Sequence, residues 1–146
     1  MSAPGSASVV RQVRIGSEPV SVEALLRAVS GPDVGGIALF VGVVRNHDGG
    51  ATVTSLDYTE HPTAEPALAA AAERAARAHE VTAVAVEHRV GHLEVGDLAV
   101  VVAVGAVHRG PALAACAALI DDLKATVPIW KEQHFADGGG EWVGLA

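Results

Sequence analysis

LAVVVAVGAVHRGPALAACAALIDDLKATVPIWKEQH, residues 98–134, decides the fold of this chain. Leu98 to Val107 is the most β-prone run, because branched valines pack well on a pleated surface, and it predicts a central strand. Interrupted by Gly105, it is too short to span a bilayer. His108-Arg109 then makes a polar exit. Pro111 to Thr126 reads as a third helix, with Leu113, Ala117, Ile120 and Leu123 to Val127 supplying its buried face. Pro128 breaks that helix, and Ile129 to Phe135 resumes as a strand. Strict alternation there puts Trp130 in the core and Lys131 outward or into a cleft.

Working outward, Val9 to Ile15 alternates well enough for a first strand. Ser21 can cap a helix whose apolar face is Val22, Leu25, Leu26 and Val29, ended by Gly31-Pro32. Gly36 to Val44 is a continuous apolar run, read as a buried strand. The polar loop Arg45 to Gly50 follows, and Thr52 to Thr59 should pair antiparallel with the strand before it. Pro62 suits a first helical turn, so Thr63 to His79 is the longest helix candidate. Val81 to Val90 is another strand, and Gly91 to Asp97 a compact turn. Ile129–Phe135 and Glu141–Val143 close as a hairpin around Asp137-Gly138-Gly139-Gly140. Strands and helices that do not strictly alternate predict an α+β fold with a mixed, largely antiparallel sheet and about three helices. The domain expectation is a loose tail at 1–8 and one domain at 9–146.

Composition narrows the functional classes. Half the residues are hydrophobic and 18% are charged, which supports a packed core and excludes global disorder. Aromatics are scarce, leaving Phe40, Trp130 and Trp142 as the large core fillers. A net charge of -7 argues against a general nucleic-acid binder, though it leaves room for a local basic pocket. The lone Cys116 excludes an intrachain disulfide and reads as a small core residue. No signal-peptide or membrane-spanning pattern is present, so a cytoplasmic location is expected.

The chemistry concentrates in few residues. Lys124 and Lys131 are the only lysines, against eight arginines. Arg45 stands where an apolar strand enters a glycine-rich loop, a position able to present a guanidinium to an anion. His108-Arg109 precedes a helix N-terminus, which itself favours anions. Each residue also has a plain structural account: Arg45 as a solvated loop tip, His108-Arg109 as a strand exit, Lys124 as a cation favoured by the helix C-terminus. Lys131 alone reads as a surface residue. His88 and His92 are four apart, but Gly91 and the strand character spoil the helical spacing a metal site would use. No metal and no cofactor is expected.

Taken together, the motifs resemble the large, catalytic subunit of molybdopterin synthase. The matching stretches are Phe40 to His47, His88 to Asp97, His108-Arg109, Asp122-Leu123-Lys124, Val127 to Glu132 and Asp137-Gly138 through Trp142-Val143. The resemblance implies an α/β-hammerhead-like fold and a sulfurtransferase of molybdenum cofactor biosynthesis. It implies a homodimer within a heterotetramer, with a small ubiquitin-like sulfur-carrier subunit at each end. The carrier's C-terminal Gly-Gly thiocarboxylate would give sulfur to cyclic pyranopterin monophosphate. Lys124 and Lys131 fall on catalytic positions, with Arg45, His108 and Arg109 on substrate-binding ones. In that family the His-Arg pair comes from across the dimer interface. The segment Tyr58 to Ala64 departs from the family, being shortened and lacking methionine.

Two other readings compete. A non-catalytic homologue would bind a ubiquitin-like Gly-Gly tail or an anionic metabolite without turnover. A small anion-binding regulatory domain would need no Gly-Gly partner at all.

Overall fold

The computed structural model describes residues 8–144, so residues 1–7 of the expected 1–8 tail lie outside the described residues. Among the described residues, nine strands and three helices run in the order β1 (Val10–Gly16), α1 (Val22–Val29), β2 (Gly36–Val43), β3 (His47–Asp48), β4 (Ala51–Glu60), α2 (Ala64–Ala78), β5 (Ala83–Arg89), β6 (Gly91–Glu94), β7 (Leu98–Ala106), α3 (Arg109–Thr126), β8 (Ile129–Phe135) and β9 (Gly140–Gly144). The fold is α+β, with two sheets in place of the single sheet expected. The first has the order β1-β5-β7-β2, with β1 parallel to β5 and the other pairs antiparallel. The second runs β3-β4-β8-β9, with β6 also paired to β4, and is antiparallel throughout.

β7 is interior to the first sheet, as its valine run predicts. Its alternation sorts the helices. Val102, Val104 and Ala106 share a core with Val84 and Val86 under α2 and α3, while Val101 and Ala103 pack with Leu25 and Val29 of α1. α1 starts on Ser21, whose hydroxyl accepts from the Ala24 amide at 3.1 Å. Gly105 lets α1 approach: a Cβ there would lie 2.5 Å from the Val29 carbonyl oxygen.

Five expectations need correction. β4 does not pair with β2. All of β2 is zipped to β7, and the β3 turn carries the chain away to a second sheet where β8 and β6 flank β4. The Gly91–Asp97 turn accordingly contains a strand, β6. β2 is not buried on both faces, because it is an edge strand that α1 does not cover, and Ile37, Leu39 and Val43 remain exposed. α3 begins at Arg109 rather than Pro111 and buries Ala112, Ala115, Cys116, Leu119 and Leu123, leaving Leu113 exposed. Phe40, Trp130 and Trp142 are not core fillers but surface aromatics, so the core is almost wholly aliphatic.

Candidate functional site

The two sheets and the C-terminal end of α3 enclose a cleft of about 380 Å³. Its floor is Gly42, Val100 and His88, adjacent in register on β2, β7 and β5. Ile120, Leu123 and Lys124 of α3 form one side, and Tyr58 of β4 with Lys131 of β8 the other. Arg45 closes the rim just after β2. Arg45, Lys124 and Lys131, far apart in sequence, thus meet in one cavity.

Each cation is held by identifiable contacts. Tyr58 and Lys131 are directly opposed across β4 and β8, so alternation turns both side chains to the cleft. Arg45 pairs with Asp48 at 3.6 Å, and Asp48 accepts a 2.8 Å hydrogen bond from buried Gln133 on β8. The Gln133 hydrogen bond, followed by the nearby Arg45 and Lys131 charges, holds the Asp48 carboxyl below the usual carboxylate range. Lys124 occupies the last turn of α3 and is exposed. Two residues before it, Asp122 receives both Nε and Nη2 of Arg74, at 2.7 and 3.0 Å, tying α3 to α2.

Lys131 is the tuned lysine. Partial burial lowers its pKa from 10.5, Asp48 opposes the shift, and the Arg45 and Lys124 charges add to it. A lysine brought toward neutrality can exchange protons, while its neighbours remain fixed positive charges. His88 is buried, its Nδ1 donating to the Arg89 carbonyl at 2.7 Å and its ring meeting Tyr58 edge to face at 4.9 Å. The cleft therefore joins a cationic rim to a neutral, half-apolar wall, suited to an anion attached to an uncharged group.

His108 and Arg109 lie elsewhere. They sit at the N-terminal end of α3, fifteen residues before Lys124 (124 minus 109). At ~1.5 Å per residue the separation is about 22 Å, beyond the reach of their side chains. Arg109 instead borders a shallow surface pocket with Gly36, Ile37, Ala38, Ala112 and Leu113. The expected set is thus divided within one chain: Arg45, Lys124 and Lys131 converge, and the His-Arg pair does not.

Sequence reasoning missed the support groups Asp48, Gln133 and Arg74, and the wall residues Tyr58 and His88. Tyr58, the sole tyrosine, and His88, which opens one of the matching stretches, carried a signal, but neither could be placed at the site before the strand partners were known. On the opposite face of the second sheet, Asp57 bridges His134 at 2.5 Å and His92 at 3.2 Å, with Glu132 alongside. Those side chains point away from the cleft, since they alternate with Tyr58 and Lys131 on the same strands.

Residues 15–126 match the MoaE protein family. The chain is 45% identical over 132 residues to molybdopterin synthase catalytic subunit 1 of Mycobacterium tuberculosis, covering 90% of this chain and 89% of that one. The crystal structure of molybdopterin synthase from Staphylococcus aureus superposes with a TM-score of 0.86 at 32% identity, covering 91% of this chain and 97% of that one. A subunit 1 and 2 complex of molybdopterin-converting factor from Helicobacter pylori shares the fold, with a TM-score of 0.67 at 20% identity over 94% of this chain and 90% of that one.

Proposed function

This chain belongs to the MoaE family of molybdopterin synthase catalytic subunits, enzymes of molybdenum cofactor biosynthesis, and from that membership we propose that its cationic cleft is where sulfur is transferred. The donor is the C-terminal thiocarboxylate of a small ubiquitin-like carrier, whose Gly-Gly tail brings no side chains into the cleft. The acceptor is cyclic pyranopterin monophosphate, and the product carries the dithiolene. The observation that carries this reading is the convergence of Arg45, Lys124 and Lys131 on one cleft.

In this mechanism the cations attract both reactants, since phosphate and thiocarboxylate are each negative. Opening of the cyclic phosphate concentrates charge on its oxygens, and Arg45 and Lys124 stabilise it as fixed positive groups. Lys131, with its lowered pKa, exchanges the proton. Chemistry needs no cysteine here, because sulfur arrives on the carrier. Cys116 is on the buried face of α3, where burial pushes its thiol pKa up and away from the reactive thiolate.

The complete site draws His108 and Arg109 from a second copy of the chain. Support comes from the exposed apolar strip formed by Ile37 and Leu39 on the edge strand β2, with Val107 and Leu113 close to the His-Arg pair. A homodimer covering that strip, with one carrier at each end, gives the heterotetramer. The Helicobacter pylori protein was likewise solved as a complex of two different subunits. Among the described residues no helix is long and apolar enough to cross a membrane. A cytoplasmic setting fits this chemistry.

The test is a reconstituted assay with thiocarboxylated carrier and cyclic pyranopterin monophosphate. Lys124→Ala, by removing a positive charge that stabilises the opening phosphate, should lower turnover by about 10²-fold or more while still binding the carrier. Full turnover by that folded variant would remove the cleft from the reaction.

A further inference from the structure

We propose that His88 is a positioning residue of the cleft, its Nε2 accepting a hydrogen bond from an N–H donor on a bound reactant. The inference deepens the sulfur-transfer reading and rests on it.

β5 is buried along nearly its whole length, and its two buried polar residues, Glu87 and His88, point to opposite faces. Glu87 has a structural task, accepting hydrogen bonds from Gln12 and Arg14 of β1. His88 faces the other way, onto the cleft floor beside Val100. Only 3% of its surface is exposed, which for a polar side chain demands satisfied hydrogen bonding.

One ring nitrogen is accounted for. Nδ1 lies 2.7 Å from the Arg89 carbonyl oxygen, which can only accept, so Nδ1 carries the proton. That fixes the tautomer and leaves Nε2 as a bare lone pair. Burial lowers the pKa to about 4, so the ring is neutral at physiological pH. Among the described residues, Nδ1 donates to the Arg89 carbonyl, and Nε2 has no hydrogen-bond partner. Among the described residues no side-chain nitrogen or oxygen is both fully occluded and unpartnered. Nε2 therefore retains access to something outside the protein. The ring is walled by Tyr58 at 4.9 Å and by Val100, and it lines the cleft.

A lone pair selects its partner. The phosphate and thiocarboxylate oxygens that the cations attract have no proton to give to Nε2. The matching groups are neutral N–H donors, either the ring and amino N–H of a pterin or the backbone N–H of an extended Gly-Gly tail. Their shared chemistry is a planar N–H donor held a short distance from a negative charge. His88 would set the angle at which that group lies against Lys131, the reacting side of the cleft.

Three forms of the chain separate the possibilities: wild type, His88→Phe, which keeps a ring without an acceptor, and His88→Gln, which restores an acceptor oxygen. Each is assayed with thiocarboxylated carrier for the KM of cyclic pyranopterin monophosphate, and by calorimetry for the carrier Kd. Loss of one hydrogen bond should raise one constant by about tenfold in His88→Phe, with kcat nearly kept and most of the loss recovered in His88→Gln. A change in KM alone identifies the pterin as donor, and a change in carrier Kd alone identifies the tail. Unchanged constants in a folded His88→Phe variant overturn the proposal, as does equal impairment of His88→Gln. A readout independent of variant folding is the ¹⁵N resonance of Nε2 in wild type, which must move when carrier or pterin is added; no movement with either also overturns it. Lys124→Ala is run in parallel. If it stays active, the sulfur-transfer reading itself fails; if it is dead while His88→Phe is unaffected, only the role of His88 fails.

Discussion

Mixed dimers of Arg109→Ala and Lys124→Ala chains should recover activity that neither parent has. α3 holds the two residues about 22 Å apart, so a site needing both must take them from different chains. In a two-fold dimer made from one chain of each kind, one cleft keeps Lys124 and receives an intact Arg109 from its neighbour. The other cleft lacks both. Random assortment yields half mixed dimers, and each has one working site of two, so about a quarter of wild-type sites are restored. The assay is kcat/KM for product formation at subsaturating substrate, after co-expressing the two variants under different affinity tags. The expected parents fall at least about tenfold, from loss of a charge-assisted phosphate contact or of a catalytic lysine. Mixed dimers purified through both tags should reach about half the wild-type rate, and the unfractionated mixture about a quarter. If the doubly tagged dimers are as inactive as the parents, the site is contained in one chain and the division along α3 has no catalytic meaning.

Gly105→Ala drives a methyl group to 2.5 Å from the Val29 carbonyl oxygen, a backbone atom that cannot rotate aside. It should cost about 1–3 kcal/mol and lower Tm by roughly 3–9 °C in a thermal melt. Lys131→Arg keeps the charge but cannot shed a proton, so turnover should fall by about 10²-fold or more with carrier affinity kept, read in the reconstituted assay. His88, held at a pKa of about 4 against 6.5 when free, makes stability fall as pH drops through that window, because the unfolded chain takes up a proton the native ring refuses. At 1.36 kcal/mol per pH unit the full effect is about 3 kcal/mol, so urea melts at pH 7 and near pH 4 should show wild type losing more stability than His88→Gln by about that amount.

The cationic residues were legible because the chain is so sparing with lysine and because Arg45, the His-Arg pair and the two lysines fall at a family's spacing. The main elements were legible because valine runs, caps and prolines act locally. Strand partners were not. Alternation in β4 says which side chains share a face, and it says nothing about whether β2 or β8 lies alongside. The face of α3 was misread for a related reason. In ALAACAALI the alanines fit either side, and the helix settles with Ala112 and Cys116 inward and Leu113 outward. Small residues inside let α3 lie close against the sheet. Tyr58, His88 and Gln133 join the site only because two sheets meet there, a relation no local pattern encodes.

Burial divides the labour among the cations. Arg45 and Lys124 are exposed at the rim, where water screens them and where they can draw in anions without a large desolvation cost. Lys131 is set deeper, between the Tyr58 side of the second sheet and α3, and its charged form is disfavoured by burial before any neighbour acts. The nearby Arg45 and Lys124 charges push it further the same way, so the groups that bind the anion also prime the lysine to give up its proton. An incoming phosphate or thiocarboxylate would partly cancel those charges and raise the Lys131 pKa. Binding thereby shifts Lys131 toward its protonated form, coupling occupancy of the cleft to proton uptake without any moving part.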